Sequence, residues 1–302
     1  MSALLQVLWT GREFQDLSLS KFELETWKRE ADKLLATFQS WANYRQSFLN
    51  GPIREGTFAL AKKYQLQAAA SKDENFQPSV AFSPIANRTR AKVGNLAQKL
   101  STGRASTSSE VPGTPEVEDS PFQTPGPEKL TPLMYPQTKK EQIVNAALVD
   151  YLNMLMFEDA AFKARTNGYL EDGGSSERVR ALIEVKPMLR RKKLNPIRMQ
   201  EAAQMVAWIM SDPDPTGALN LPGRRLHISR DRHQIFITFA EYDSSYIQYL
   251  NNTLPPNAPR SFLTMHEFGP WNTSVRSEME SIGGILLAIA LRAYADAAQP
   301  SK

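Results

Sequence analysis

The sequence predicts a mixed α/β fold of the α+β type, preceded by a helical segment and a linker. Apolar residues recur at helical spacing in several stretches, which is typical of amphipathic helices packed on a core. Two other stretches, 165–187 and 225–242, have the residue pattern of β-hairpins. The order helix, hairpin, helix, hairpin, helix indicates one layered core. We therefore divide the chain into an N-terminal helical segment (1–72), a disordered linker (73–134) and an α+β domain (135–302).

The amino-acid composition limits the classes of protein to which this chain can belong. The 302 residues are 41% hydrophobic, enough for a real core, and the absence of cysteine excludes disulfides and thiolate metal sites. The net charge of +4 mildly favours polyanionic partners. The N-terminus lacks a signal-peptide pattern, and the apolar run Ile282–Leu291 is too short to span a bilayer. We expect an intracellular protein, nuclear or cytoplasmic and not secreted, with no membrane partner.

The segment before the linker is predicted to be helical. Apolar and aromatic side chains between Leu19 and Phe48 recur near helical spacing, with charged residues between them. Ser20 is a candidate N-cap with Glu23 as its capping-box partner. A second helix is expected over 54–70. The aromatic stripe is interpreted as a packing face, or alternatively as a surface that docks on a protein partner or a second copy.

The linker is rich in proline, serine, threonine and glycine, so it cannot offset the entropy of ordering and is expected to be disordered. Its Ser-Pro and Thr-Pro pairs could accept proline-directed phosphate, although such pairs also arise by chance. Four cations, Arg88, Arg90, Lys92 and Lys99, form a basic arm. That arm could contact nucleic acid, act in nuclear import or simply be solvated.

The α+β domain is read from Gln137 onwards. An amphipathic helix spans 141–156, and a hairpin follows with its turn at 173–176. Asn195-Pro196 begins the next helix, since proline is tolerated in a first turn. Further elements are strands at 225–229 and 234–242, a short helix ending at Leu250, a loop over 251–260, and a last helix over 274–297 in which Gly283-Gly284 allows close packing on the sheet.

Glu184 and Lys186 are the candidate chemical groups of the first hairpin. Residues two apart on a strand share a face, so these side chains point one way and Ile183 and Val185 the other. A carboxylate at that position can hold a divalent metal, and the lysine can orient a water or stabilise charge on a phosphate. The plain alternative is a strand ion pair in a scaffold domain.

These residues and their flanking motifs resemble the PD-(D/E)XK nuclease-like domain, in the version common among uncharacterised fungal proteins. The resemblance covers roughly residues 135–297 and implies a restriction-endonuclease-like core sheet flanked by helices. The motifs that carry it are Asn167-Gly168-Tyr169-Leu170, Glu184-Val185-Lys186, Glu141-Gln142-Ile143-Val144-Asn145, Met199-Gln200-Glu201-Ala202-Ala203-Gln204-Met205 and, in the linker, Ser83-Pro84-Ile85-Ala86-Asn87-Arg88-Thr89-Arg90.

The resemblance also implies roles. Glu184 would bind Mg²⁺, Lys186 would place the attacking water, and Gln200, or alternatively Gln204, would hold the lysine or the water. Glu141 would be an outer carboxylate of the metal site, although an acid at a helix N-terminus has a plain electrostatic explanation. The implied function is metal-dependent cleavage of DNA or RNA.

One position departs from the family pattern. Where the family has an aspartate as second metal ligand, this chain has Asn167. Partner numbers in an antiparallel hairpin sum to a constant, so Asn167 is expected to face Glu184, whereas Asp172 is expected to face Val179. An amide oxygen removes one negative charge, so we expect weak Mg²⁺ binding. The alternative function is an inactive nuclease-fold protein that binds nucleic acid or protein.

Four consecutive cations, Arg190, Arg191, Lys192 and Lys193, follow the Glu184 strand. They are candidates for gripping a phosphate backbone at the mouth of the site. The alternatives are a nuclear-import signal and a solvated loop. The three histidines, His227, His233 and His266, lack zinc-ligand spacing and are interpreted as ordinary core or surface residues.

Overall fold

A computed structural model describes residues 6–49, 53, 56–70, 139–156, 162–164, 168–172, 178–212, 214 and 218–298. Within them the chain is a mixed α+β protein, in which helices flank a mixed sheet, as the sequence predicted. The strands of that sheet are β1 (Val7–Arg12), β2 (Phe162–Ala164), β3 (Tyr169–Asp172), β4 (Val179–Lys186), β5 (Leu226–Asp231), β6 (Gln234–Glu241) and β7 (Leu263–Asn272). The α-helices are α1 (Glu25–Thr37), α2 (Gln39–Gln46), α3 (Ala59–Ala70), α4 (Lys139–Met156), α5 (Leu194–Ser211), α6 (Ser244–Leu250) and α7 (Arg276–Ala298).

The strand order across the sheet is β1-β7-β6-β5-β4-β3-β2. Strands β2, β3 and β4 are antiparallel neighbours, as are β5, β6 and β7. The two groups meet where β4 pairs in parallel with β5, and β1 pairs in parallel with β7 at the edge. The Glu184 strand is therefore central, with hydrogen-bonded neighbours on both sides.

Each face of the sheet is covered by a different set of helices. On β4, Ala181, Ile183 and Val185 belong to a core that includes residues of α1, α2, α3, α4 and α7. The intervening Leu182 packs instead with residues of α5 and α6. The alternation of a strand thus places Glu184 and Lys186 beneath α5.

The N-terminal segment differs from its prediction. Val7–Arg12 is a strand, not part of a helix, because pairing with β7 gives its backbone a ladder of hydrogen bonds. The first helix begins at Glu25, so the capping box expected at Ser20 is wrong, and Leu24 precedes the helix without a side-chain cap. The chain then breaks at Phe38 to start α2.

The aromatic stripe of this segment packs against the rest of the protein. Phe22 and Trp41 are almost fully buried and belong to the main core. Phe22 stacks on Phe239 of β6 with ring centroids 4.1 Å apart. The interpretation of the stripe as a packing face is confirmed for these residues, and the segment shares a core with the C-terminal domain.

Both predicted hairpins have antiparallel strands. In the first, Tyr169 faces Leu182, and a register shift after Leu170 places Glu171, rather than Asp172, opposite Val179. In the second, β5 continues to Asp231, beyond its predicted end at Ser229. The predicted linker 73–134 and the turn at 173–176 lie outside the described residues.

The last helix is longer than the apolar run that marked it. At 23 residues, α7 is long and apolar enough to cross a membrane by length and composition only, a test that a buried core helix also passes. In the structure 61% of its apolar window is buried inside the protein, as in a core helix. Its glycines contact helices rather than the sheet: Gly283 lies against Trp41 and Tyr151.

Candidate functional site

The candidate site is built around Glu184 and Lys186 on the α5 side of β4. Both residues are buried, with 7% and 5% of their surface exposed. The Lys186 ammonium donates a hydrogen bond to Glu184 Oε1. The structure therefore brings these two predicted residues together on one face, as the two-residue repeat of a strand requires.

Helix α5 supplies two amides to the same carboxylate. Gln200 and Gln204 are four residues apart, so they lie on one face of the helix. Gln200 Nε2 donates to Glu184 Oε1 over 3.3 Å, and Gln204 Nε2 donates to Glu184 Oε2 over 2.7 Å. Gln200 lies where the sequence predicted a helper, but the shorter bond is that of Gln204. Both oxygens of Glu184 therefore accept hydrogen bonds from the chain itself.

His227 extends this arrangement to β5. Its Nε2 lies 3.0 Å from Gln204 Oε1. Since the Gln204 amide nitrogen is engaged with Glu184, its oxygen is the acceptor, and His227 Nε2 carries the hydrogen. Burial lowers the pKa of His227 to about 3, and the nearby Arg190 and Lys186 act in the same direction, so the ring is neutral. The sequence offered no signal for this role, because it depends on β5 pairing beside β4.

Lys186 is held as a cation. Burial by itself disfavours the ammonium, but the attraction and hydrogen bond of Glu184 outweigh it, and the pKa of Lys186 is raised. Glu141 and Asp231 act in the same direction. Glu141 therefore lies within electrostatic reach of Lys186, at the start of α4. A permanently charged lysine can stabilise an anion but cannot serve as a general base at neutral pH.

Arg190 is the main departure from the predicted phosphate-binding run. It is 2% exposed, so the expectation that it contacts solvent or phosphate is wrong. Its guanidinium donates to Asp231 over 2.6 Å, to Ser229 over 2.7 Å and to Glu201 over 3.1 Å. It also pairs with Glu267. Arg190 is thus buried among carboxylates contributed by β5, α5 and β7.

The other three cations of the run, Arg191, Lys192 and Lys193, are exposed. Arg191 and Lys192 belong to the short 3-10 helix Arg190–Lys192, which links β4 to α5. Lys193 directly precedes α5. The run therefore divides into one internal arginine and a basic surface of three residues beside the Glu184 strand.

The carboxylates around Arg190 are costly to bury. Burial raises the pKa of Glu201, with Glu267 and Glu184 adding to the effect and Arg190 opposing it. Burial likewise raises the pKa of Asp231, and Arg190 again opposes the shift. Glu267 is shared with Arg198, whose Nη2 donates to it over 2.7 Å. Arginine side chains thus provide the positive charge inside this acidic cluster.

The Glu184 carboxylate is engaged by donors of the chain itself. Among the described residues, no group of three or more acidic, histidine or cysteine side chains is placed to hold a metal ion. Mg²⁺ requires oxygen ligands, and both carboxylate oxygens of Glu184 accept hydrogen bonds from N–H donors. Asn167, the predicted second ligand, lies outside the described residues. The structure thus assembles the predicted Glu184, Lys186 and Gln200, with Glu141 nearby, into a hydrogen-bonded cluster rather than an open metal shell.

Comparison with protein-family models, with curated proteins and with solved structures found no match to this chain.

Proposed function

We propose that this chain is a degenerate PD-(D/E)XK nuclease-like domain that binds nucleic acid and does not cleave it. The observation that carries the proposal is the state of Glu184, whose two oxygens accept hydrogen bonds from Lys186, Gln200 and Gln204. A metal-dependent nuclease needs that carboxylate for its metal ion. In this protein the carboxylate instead satisfies buried donors of the chain, in a dense polar network.

The arrangement of the motifs supports the nuclease-like part of the proposal. Glu184 and Lys186 end a central strand, α4 with Glu141 comes before the hairpin, and α5 with Gln200 comes after it. This is the order of motifs on which the resemblance rests. A restriction-endonuclease-like ancestry explains why a buried Glu-X-Lys pair and a glutamine from the next helix meet at one point.

The nucleic-acid part of the proposal rests on the basic surface, Arg191, Lys192 and Lys193. These exposed cations follow one another directly after the short loop that ends β4. Exposed lysine and arginine side chains bind phosphates without reading base sequence, and they release counterions as they do so. We therefore expect salt-dependent binding of DNA or RNA with little sequence preference.

Cleavage is tested on labelled single- and double-stranded DNA and RNA with Mg²⁺ or Mn²⁺, using the wild type, Lys186→Ala and Asn167→Asp. We expect no cleavage by the wild type, because Glu184 is engaged and the expected aspartate is an asparagine. Asn167→Asp restores one negative charge, and we expect it to tighten Mg²⁺ binding in calorimetry. Cleavage by the wild type that Lys186→Ala abolishes would overturn the proposal and establish a working nuclease.

Nucleic-acid binding is tested by fluorescence polarisation with a labelled duplex across a salt series. We expect Arg191→Glu with Lys193→Glu to weaken binding of all sequences about equally and to reduce the salt slope by about 2, one for each lost phosphate contact. The control, Arg29→Glu with Lys63→Glu, makes the same charge change at exposed positions of α1 and α3.

Equal affinity in both double variants would remove the basic surface from the proposal. The second candidate function, a protein-binding module, would then be favoured. It has one observation of its own: Leu49, Leu60 and Leu66 of the N-terminal segment are between 47% and 59% exposed.

A further inference from the structure

One edge of the sheet is formed by β1. This strand pairs with β7 on one side, and no strand of the described residues pairs with its other side. Its pairing with β7 runs from Val7 to Arg12 without a register shift, so the backbone is regularly extended. At the opposite edge, β2 is three residues long, half the length of β1. Very short edge strands resist pairing with other chains, and the longer β1 lacks that protection.

Half of the backbone groups of β1 point away from the sheet. The Gln6 carbonyl accepts a hydrogen bond from the Leu263 amide over 3.0 Å, so Gln6 faces β7. The amide and carbonyl of one residue point to the same side of a strand, and successive residues point to opposite sides. Every second residue from Gln6 therefore faces β7, and the residues between them face the open edge. These outward-facing residues are Val7, Trp9 and Gly11.

The side chains of β1 leave this edge accessible. Leu8 is 49% exposed, although it is a large apolar residue. Arg12 is the only charged residue of the strand and lies at its end, and the strand contains no proline. Charged residues and prolines are common means of preventing an edge from pairing. An exposed leucine on an almost uncharged edge instead favours contact with a further strand.

We propose that β1 pairs with the same strand of a second copy of this chain, antiparallel and about a two-fold axis at Trp9. In this register Trp9 faces Trp9 of the second copy and Val7 faces Gly11, so each outward amide meets an outward carbonyl. The contact is isologous, since both copies use the same surface. Arg12 faces Gln6, so the charge of the strand meets no like charge. The dimer has one continuous sheet, and the contact goes beyond the proposed function.

Side chains and charges support this register. Leu8 lies diagonally across from Leu8 of the second copy, about 7–8 Å away, which allows the two apolar side chains to meet. Glu13 and Asp16 are exposed just after β1, whereas Arg260 is exposed shortly before β7, which runs parallel to β1. An antiparallel dimer places the beginning of β1 in one copy beside the end of β1 in the other. The acids of each copy therefore approach the arginine of its partner.

The test is sedimentation equilibrium of the full chain over a range of concentrations. A single strand pair buries less than the roughly 1,600 Å² of a standard interface, so we expect a reversible dimer with a Kd in the micromolar range. Leu8→Lys places like charges across the pair and should weaken the dimer about 10-fold. The matched control is Leu66→Lys on α3, where a leucine of similar exposure, 47%, receives the same charge. It should leave the dimer unchanged.

Chemical cross-linking tests the register. The chain has no cysteine, so one engineered cysteine provides its only thiol. With a short bismaleimide, Leu8→Cys should give a covalent dimer, because the two positions lie diagonally across the pair. Leu66→Cys should stay monomeric under the same conditions.

A wild type that sediments as a monomer at every concentration would overturn the proposal and favour an extended segment of another protein as the partner of this edge. A dimer that both lysine variants weaken equally, or that neither variant weakens, would place the contact on another surface and overturn it as well. Thermal unfolding of both lysine variants confirms that each is folded, as expected for substitutions at exposed positions.

Discussion

At the residue scale, the hydrogen bonds from His227 to Gln204 and from Gln204 to Glu184 fix the orientation of the Gln204 amide and the tautomer of His227 together. The Gln204 amide can satisfy Glu184 only with its nitrogen, so its oxygen must accept from His227 Nε2. The other ring nitrogen, Nδ1, is buried and has no hydrogen-bond partner in the described chain. Protonating it would place a second positive charge near Lys186, so the imidazole stays neutral and Gln204 keeps its orientation.

This arrangement predicts a pH dependence of stability. The pKa of His227 falls from about 6.5 in the unfolded chain to about 3 in the fold, so the unfolded state binds the extra proton in that window. Stability from this group is present above the unfolded pKa and is lost as the pH falls. Between about pH 7 and about pH 5 the wild type should lose about 2 kcal/mol from this source.

The measurement is urea unfolding at a series of pH values for the wild type and His227→Gln. Glutamine can still donate to Gln204 but does not titrate, so this loss should be absent from the variant. The difference between the two proteins isolates His227 from the other titrating groups. Parallel stability curves would contradict the assignment of a neutral, buried histidine.

At this scale, positions that are determined by a local rule could be predicted from the sequence. The two-residue repeat of a strand placed Glu184 with Lys186, and the matching motif on the following helix pointed to Gln200. The position of Arg190 could not be predicted, because the sequence does not distinguish it from Arg191. The inward position of Arg190 depends on carboxylates contributed by β5, α5 and β7, and no local pattern shows that these elements meet.

At the scale of elements, the two glycines of α7 have different surroundings. A Cβ on Gly283 would lie 2.5 Å from Trp41 Cη2 and 2.8 Å from the Tyr151 hydroxyl, both in the core. A Cβ on Gly284 would instead meet the flexible ends of Lys28 and Asp32 on α1. Close approach of α7 to α2 and α4 thus requires glycine at one position and not at its neighbour.

We expect Gly283→Ala to lower the free energy of unfolding by about 1–3 kcal/mol, the usual cost of overpacking a core. Gly284→Ala should leave stability unchanged or raise it by up to about 1 kcal/mol, because alanine favours a helix and the Lys28 and Asp32 side chains can move. Chemical denaturation of both variants checks the contrast. Equal losses would indicate that α7 packs differently from this structure.

The periodicity of apolar residues in the sequence predicted the helices and the two central hairpins. It did not predict the edge strand β1 or its partner β7. Strand β7 contains Gly269 and Pro270, and a proline argues against a strand between two others. The structure accommodates them at a register shift of β6, where a Cβ on Gly269 would lie 2.6 Å from a Phe236 ring atom. Strand β1 is short, and its extended form depends on β7, which follows it at a great distance in the sequence.

At the scale of the whole molecule, the segments on either side of the linker complete one sheet and one core. Strand β1 pairs with β7, α3 packs on α4, and α1 packs on α7. The Arg232 side chain donates to the carbonyl of Ala69 near the C-terminal end of α3 over 3.1 Å. The linker therefore joins two parts that are also held together by packing.

We predict that cutting the chain at a protease site engineered into residues 73–134 leaves the two pieces associated. Size-exclusion chromatography after cleavage should give one peak of unchanged volume that contains both fragments. Residues 135–302 expressed alone should be poorly soluble, because the edge of β7 and the apolar surface beneath α1 would be exposed. Separate elution of two soluble fragments would show that the N-terminal segment does not belong to the core.

The pairing of β1 with β7 also has a consequence for how the protein is made. Thr10 and His266, which face each other in this pair, are 256 positions apart in the chain. At a synthesis rate of about 5–20 residues per second, β1 emerges from the ribosome roughly 10–50 seconds before its partner. Throughout that interval its backbone groups and its Trp9 side chain have no native contact on β7. The addition of β1 to the edge of the sheet therefore cannot begin until nearly the whole chain has been synthesised.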